Sequence, residues 1–318
     1  MNKSMQLKLI GAGILAALAS AGAEANQFWV DVGTNYLAGA GKVCATCTGL
    51  KDEGLFRYDS RTVVNTGADN VISAGDTIVT NGGWDQTNFG TGQFSLASNL
   101  ITNFDPASAN NGYGLDFGDW ALAFSLVNLT GQVAGIDPGT GLPIVTYNSG
   151  VVEFFLLKDA DVDPVNGPDW ATADVHHIMN LNVESGGLGP GNLDIRGSVD
   201  FTGISDALRT AFHVDGFTCN GKSSFYDVWH ECGAGATPPL ELKLAWISDQ
   251  NTNPGDVNIS PSATECLVTG DGAGTQCTIT SSHDGSIVFN VPEPGSLALL
   301  GAGLLGAGFS SRRRAAAA

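Results

Sequence analysis

The chain has 318 residues, of which 43 are Gly and only 14% are charged. That length suits one large β-domain or two smaller ones, and the glycine content favours a turn-rich β-protein over a helical bundle, because Gly supplies the positive φ angles of tight turns. A formal net charge of −18 argues against nucleic acid or anionic lipid as a partner and favours attraction of cations.

In chain order, Lys3 and Lys8 form a positive n-region, Leu9 to Ala19 is apolar, and Ala23-Glu24-Ala25 follows. Signal peptidase requires small residues at −3 and −1, so Ala23 and Ala25 mark cleavage after residue 25, and residues 1–25 read as a signal peptide. The apolar stretch is short for a full membrane span. A cleaved signal is therefore preferred to a retained N-terminal anchor.

Residues 26–290 read as a β-rich ectodomain. Short alternating or fully apolar runs are split by Gly, Asn, Asp and Pro clusters, with no long helical periodicity and no obvious repeat. Strands are expected over Gln27–Val32, Leu55–Tyr58, Thr77–Thr80, Gln93–Ile101 and Trp120–Leu129. Asn103 to Gly118 reads as a loop or an internal boundary. Ile144–Tyr147 and Val151–Leu157 bracket Asn148-Ser149-Gly150, and two strands around a short Asn/Gly connection predict a hairpin. Further strands are expected over Ile178–Val183, Leu193–Phe201, Leu240–Trp246 and Ser286–Val291, with one short helix over Ile204–Phe212. Strict alternation in Leu240–Leu244 predicts one buried and one wet face. The pattern implies an all-β, antiparallel sandwich or jelly-roll-like domain.

Two acidic stretches are candidate calcium sites, since Ca²⁺ takes hard oxygen ligands. Asp159, Asp161 and Asp163 alternate after an apolar strand, but Pro164 stands where an EF-hand-type loop has Gly, and no acidic residue closes the loop. A solvated acidic turn is the plainer reading. In Asn65 to Asp76, oxygen side chains at Asn65, Asp69, Ser73 and Asp76 follow a calcium-loop spacing with Ile72 at the apolar place. Gly67 lacks the expected carboxylate, so an ordinary turn is preferred there.

Catalytic patterns are harder to find. The five histidines are His176, His177, His213, His230 and His283. The adjacent pair would point to opposite faces of a strand, a poor arrangement for sharing a metal. Neither G-x-S-x-G nor H-E-x-x-H occurs, and Gly301-Ala302-Gly303-Leu304-Leu305-Gly306 matches the dinucleotide fingerprint only inside an apolar tail, without a βαβ unit. No catalytic residue is assigned. Six scattered tryptophans serve more readily as core or loop anchors than as sugar platforms.

Six cysteines, Cys44, Cys47, Cys219, Cys232, Cys266 and Cys277, suit disulfides in an exported chain, with sequence neighbours as the simplest pairs. Zinc at Cys44-Ala45-Thr46-Cys47 would want a second C-x-x-C, and none follows.

At the far end, Val291-Pro292-Glu293-Pro294-Gly295-Ser296 precedes the apolar run Leu297–Phe309, and Arg312-Arg313-Arg314 follow. A run of this length barely crosses a bilayer. Three arginines after it would stay cytoplasmic and leave everything before Pro292 outside. Residues 291–318 resemble the sorting tail of the PEP-CTERM family, in which P-E-P, an apolar helix and an Arg-rich end occur in that order. The resemblance implies a Gram-negative cell, signal peptidase and exosortase as processing partners, and a transient transmembrane helix. It also implies cleavage near Pro292, Glu293 and Pro294, then display at the cell surface or in the extracellular matrix. The ectodomain is also diffusely similar to flocculation-associated members, which implies a structural or adhesive role in exopolysaccharide, cell aggregation or biofilm formation. A calcium-assisted carbohydrate-binding module is the alternative, and a secreted hydrolase a distant third. Five of the 14 basic and two of the 32 acidic residues lie in the two ends, leaving nine against 30, or −21, on the mature chain.

Overall fold

The computed structural model describes residues 27–33, 47–48, 50–51, 54–67, 71–84, 100–102, 120–158, 174–189, 192–215, 218–233, 243–249, 257–260 and 275–290. The strands are β1 (Phe28–Val30), β2 (Gly54–Gly67), β3 (Thr77–Gly83), β4 (Leu100–Thr102), β5 (Trp120–Ile136) and β6 (Pro143–Lys158), then β7 (Asp174–Gly189), β8 (Asn192–Asp200), β9 (Phe212–Val214), β10 (Lys243–Asp249), β11 (Val257–Ser260) and β12 (Thr275–Asn290). The domain is all-β and antiparallel, as expected.

Hydrogen-bonded neighbours run from β2 through β3, β5, β6, β7, β8 and β10 to β12, and β12 pairs back onto β2. The layers of this sandwich-like body are thus joined into one closed ring. β4 sits beside β2 and β5, and β11 beside β12. Strands of 14 residues in β2 and 17 in β5 far exceed the four to ten residues read from sequence. Such long strands pass between layers by bending at bulges.

One expected hairpin is corrected. Asn148-Ser149-Gly150 lies inside the single strand β6, opposite a matching irregularity in β5 between Val127 and Thr130. Asn128 there has φ 49° and Gly150 φ 136°, the left-handed region that a bulge exploits. The bulges invert the phase of burial. Inward residues are Val145 and Tyr147 before it, but Val152, Phe154 and Leu156 after it. That inversion makes one strand read as two. The true β5–β6 turn is closed by Asp137, whose carboxylate accepts from Gly139 N at 2.7 Å and whose backbone N–H donates to Leu142 O at 2.8 Å.

The expected helix over 204–212 is also corrected. Only a 3₁₀ turn forms over Ala207–Thr210, capped by Asp206, and Phe212 already begins β9. The apolar spacing there serves a turn packed beneath β7, not a helix. Of the 93–101 strand only Leu100 and Ile101 are described, and 103–118 lies outside the described residues. So do Leu240 to Glu241-Leu242 of the alternating run.

β1 and β9 form a separate two-stranded ribbon. With the short helix α1 (Phe225–Asp227) they build an aromatic cap over the end of β12. Phe289 lies 4.6 Å from Phe28, 4.9 Å from Phe225 and 5.5 Å from Phe212, between ring centroids. All four rings are buried, each contributing roughly 1.5–3 kcal/mol of burial, with a further increment for edge-to-face geometry.

Candidate functional site

The inward positions of β2 hold Tyr58, Ser60 and Thr62 where Val or Ile would ordinarily sit, followed by Val64. Facing them are Thr80 of β3, Tyr147 of β6, and Ser281 and His283 of β12. Buried polar groups must find partners, and these find one another. His283 Nε2 lies 2.7 Å from the hydroxyls of both Ser60 and Ser281, which are 3.1 Å apart. Thr62 and Thr80 hydroxyls meet at 2.7 Å, and Thr80 meets Tyr147 Oη at 2.9 Å. The Tyr58 ring stacks on His283 with centroids 4.7 Å apart.

These groups line one wall of a cavity of about 50 Å³. Leu126, Leu129, Val145, Ile195 and Ile279 make the apolar wall, and Leu142 and Ser281 stand at its less buried rim. Such a space holds a few waters at most. Burial pushes the His283 imidazole down to about 4. Burial, helped by the neighbouring Tyr147, raises Tyr58 well above the ordinary phenol range, and for Tyr147 burial outweighs the lowering hydrogen bonds from Thr80 and Thr62. At neutral pH the cluster is therefore uncharged: a neutral imidazole, two phenols and a set of hydroxyls. It can hold strands in register and bind water. It presents a neutral imidazole hydrogen-bonded to two serine hydroxyls.

A second cluster lies on the β1–β9 ribbon. Trp29 stacks flat on His213, with centroids 3.7 Å apart and planes 6° apart, and His213 Nδ1 is 3.1 Å from Ser223 Oγ. Burial depresses His213 to about 4 against the raising pull of Asp31 and Asp227. Nearby, Lys222 Nζ bonds Asp227 at 3.1 Å and Glu231 at 2.6 Å, and Asn220 Nδ2 donates to Glu231 at 2.9 Å.

Asp76 closes the β2–β3 hairpin: its carboxylate accepts from Ser73 N at 2.7 Å, while Asn65 donates to Thr77 Oγ1 at 3.2 Å. These two residues thus serve turn and strand. Asp69, Asp159, Asp161 and Asp163 lie outside the described residues. Among the described residues, no group of three or more His, Cys, Asp or Glu is placed to hold a metal ion. His176 pairs with Asp206 at 3.0 Å and His177 with Asn180 at 2.7 Å, so the adjacent histidines turn to different partners. Trp84 is buried against Phe155, as a core anchor. Cys47, Cys219 and Cys277 are buried, and no described cysteine is free. Cys44 and Cys266 lie outside the described residues, as do Ala23, Ala25, Pro292, Glu293, Pro294 and Arg312, Arg313 and Arg314.

The polar cluster was not singled out from sequence. Its one signal was hydroxyl residues in step with the buried phase of a strand, in Ser60-Arg61-Thr62 and Ser281-Ser282-His283. Without register, that phase cannot be assigned.

β12 ends at Asn290, paired with Lys243. Residues 290–314, starting at that very position, match the family model of the PEP-CTERM protein-sorting motif. The chain carries a PEP-CTERM sorting signal. The signal marks an exported protein, processed by exosortase at the membrane and then secreted. No curated protein and no solved structure matches the chain. The matched stretch begins at the last residue of β12.

Proposed function

We propose that this protein is a non-enzymatic structural or adhesive component of the extracellular matrix, acting within exopolysaccharide in cell aggregation, floc or biofilm formation. One observation carries the reading: a PEP-CTERM signal that begins at the last residue of a closed β-body, in which the inward Ser60 pairs with His283 and Thr62 with Thr80. The mature charge of −21 supports it, because such a surface stays soluble and hydrated outside the cell. Among the described residues, only Val71 and Ile136 are exposed large hydrophobics, which favours contacts with hydrated polymer over burial in lipid.

The same reading includes removal of residues 1–25 by signal peptidase, residence at the surface of a Gram-negative cell or in its matrix, and local disulfides Cys44–Cys47, Cys219–Cys232 and Cys266–Cys277. The middle pair is supported by Asn220 and Lys222, which bind Glu231 and so hold the Cys219 turn against the segment that carries Cys232.

Deletion in the native host tests the function. Loss of aggregation or of matrix cohesion, restored by the intact gene and not by one lacking residues 291–318, is expected. Unchanged aggregation with the protein absent from the matrix fraction would refute it. Calorimetry with Ca²⁺ and the native polysaccharide separates the alternative, since tight calcium-dependent heat would mark a carbohydrate-binding module.

A further inference from the structure

We infer that the outward face of β12, β2, β3, β5 and β6 binds a linear polysaccharide, laid along a stripe of valine and threonine between two rails of amide and hydroxyl side chains. The inference deepens the matrix reading above and rests on it for the source of the polymer.

Strand register builds this face. Thr278, Val63, Val79, Thr130 and Ser149 stand opposite one another across five strands. Val63 and Val79, near the middle, are half-buried, as are Thr278 and Thr130 beside them. At about 4.8 Å between strands, this central row runs about 19 Å. One rail is Gln276, Asn65, Thr77, Gln132 and Thr146, again in register across the same five strands. On the other side of the stripe lie Thr280, Arg61 and Asn81. Asn65 is half-buried, and every other rail residue is exposed.

A pyranose ring has apolar C–H faces and a rim of hydroxyls, and in a linear chain the rings repeat over a length close to one strand spacing. The stripe gives those C–H faces an apolar floor, and the rails meet the hydroxyl rim, an apolar centre within a polar border. The rails are braced before any ligand arrives. Gln276 Nε2 donates to Asn65 Oδ1 at 3.0 Å, Asn65 Nδ2 donates to Thr77 Oγ1 at 3.2 Å, and the Asn128 N–H donates to Asn81 Oδ1 at 2.9 Å. Bracing lowers the entropy lost on binding, and a primary amide, with two donors and an acceptor, keeps groups for a ligand. Charge points the same way. The mature chain carries 30 acidic residues, yet among the described residues of these three rows there is no carboxylate, and Arg61 is the one charge. Neutral polar groups give up water at far lower cost than ions, and a face without carboxylates does not repel an acidic sugar. Nor does the contact need calcium, which takes carboxylate ligands. A second copy of the chain fits less well, because two half-buried valines are a small apolar centre for the roughly 800 Å² per partner of a stable protein interface.

The test is co-sedimentation of the mature protein, purified from its host, with exopolysaccharide extracted from a strain that lacks it. The wild type is expected to bind equally with and without a calcium chelator. Val79→Glu sets a carboxylate in the stripe and is expected to weaken binding roughly tenfold or more, since the polymer would cover an unpaired charge. Gln132→Glu combined with Asn81→Asp keeps the shape of two rail side chains. It is expected to weaken binding severalfold with the melting temperature unchanged, so a loss of fold in Val79→Glu does not blunt the test. Ser205→Glu, exposed and outside the face, is expected to bind as the wild type does. Wild-type affinity in both face variants, or an equal loss with Ser205→Glu, overturns the face and leaves the matrix reading standing. No binding by the wild type overturns both. A reversible dimer in sedimentation velocity, broken by Val79→Glu, assigns the face to a second copy and overturns the polysaccharide.

Discussion

Acid should loosen this body through His283, and the size of the effect follows from its surroundings. The imidazole is buried beneath Tyr58 and between Ser60 and Ser281, and burial depresses it to about 4. An unfolded chain returns it to about 6.5. Because the folded value is the lower one, the unfolded state binds the extra proton first, so stability is fully present above about 6.5 and is lost as pH falls toward 4. A shift of about 2.5 units at 1.36 kcal/mol each is roughly 3 kcal/mol, a sizeable part of a typical domain's stability. The perturbation is His283→Gln, which keeps a polar group near both serines and does not titrate. Urea unfolding of the mature body, with disulfides intact and followed by tryptophan fluorescence, is run from pH 7.5 to pH 4 on both proteins. Carboxylates and His213, which shifts the same way, are common to both and cancel in the difference. The stability advantage of the wild type over the variant should shrink by roughly 3 kcal/mol across that range. A difference constant to within about 0.5 kcal/mol would refute the claim that burial keeps His283 neutral.

Other outcomes follow from particular contacts. Thr80→Val removes the hydroxyl shared by Thr62 and Tyr147 and should cost about 2–3 kcal/mol in the same urea assay, more than Tyr147→Phe at about 1 kcal/mol, because it leaves two buried hydroxyls short of a partner. A Cβ at Gly131 would run into the carbonyl oxygen of Thr146, so Gly131→Ala should cost more than about 3 kcal/mol or abolish folded yield. Gly135, with nothing within 4 Å of its added Cβ, should accept Ala within about 0.5 kcal/mol, as seen by melting temperature. Non-reducing peptide maps of the mature protein should join the Cys219 and Cys232 peptides. Recovery of either peptide alkylated without reduction would remove that bridge.

Much of the architecture was legible because β-strands announce themselves by alternation and turns by Gly, Asn and Asp. Gln27–Val32, Thr77–Thr80 and Leu193–Phe201 all fall on strands close to where they were expected. Length was not legible. β2 continues nine residues past Tyr58, to Gly67, through Ser60 and Thr62, whose polarity on a buried face only makes sense once His283 and Thr80 are opposite them. β6 was cut in two because a bulge shifts its buried phase by one residue, and a bulge needs a partner strand that sequence alone does not supply. The 204–212 segment carried helical spacing, yet tertiary packing kept only the Asp206-capped turn. The sorting tail was legible for the opposite reason. Its signal is local, a fixed order of P-E-P, apolar residues and arginines, and depends on no register.

Closure of the eight-strand circuit has a consequence for crowded surroundings. A flat sheet ends in outermost strands with unused N–H and C=O groups, a template onto which further copies can add. Among the described residues, the circuit in which β12 returns to β2 has no outermost member, and β11 beside β12 is brief, with four residues. Copies crowded together after secretion can thus lie side by side without fusing into cross-β fibres, and contacts between them fall to side chains.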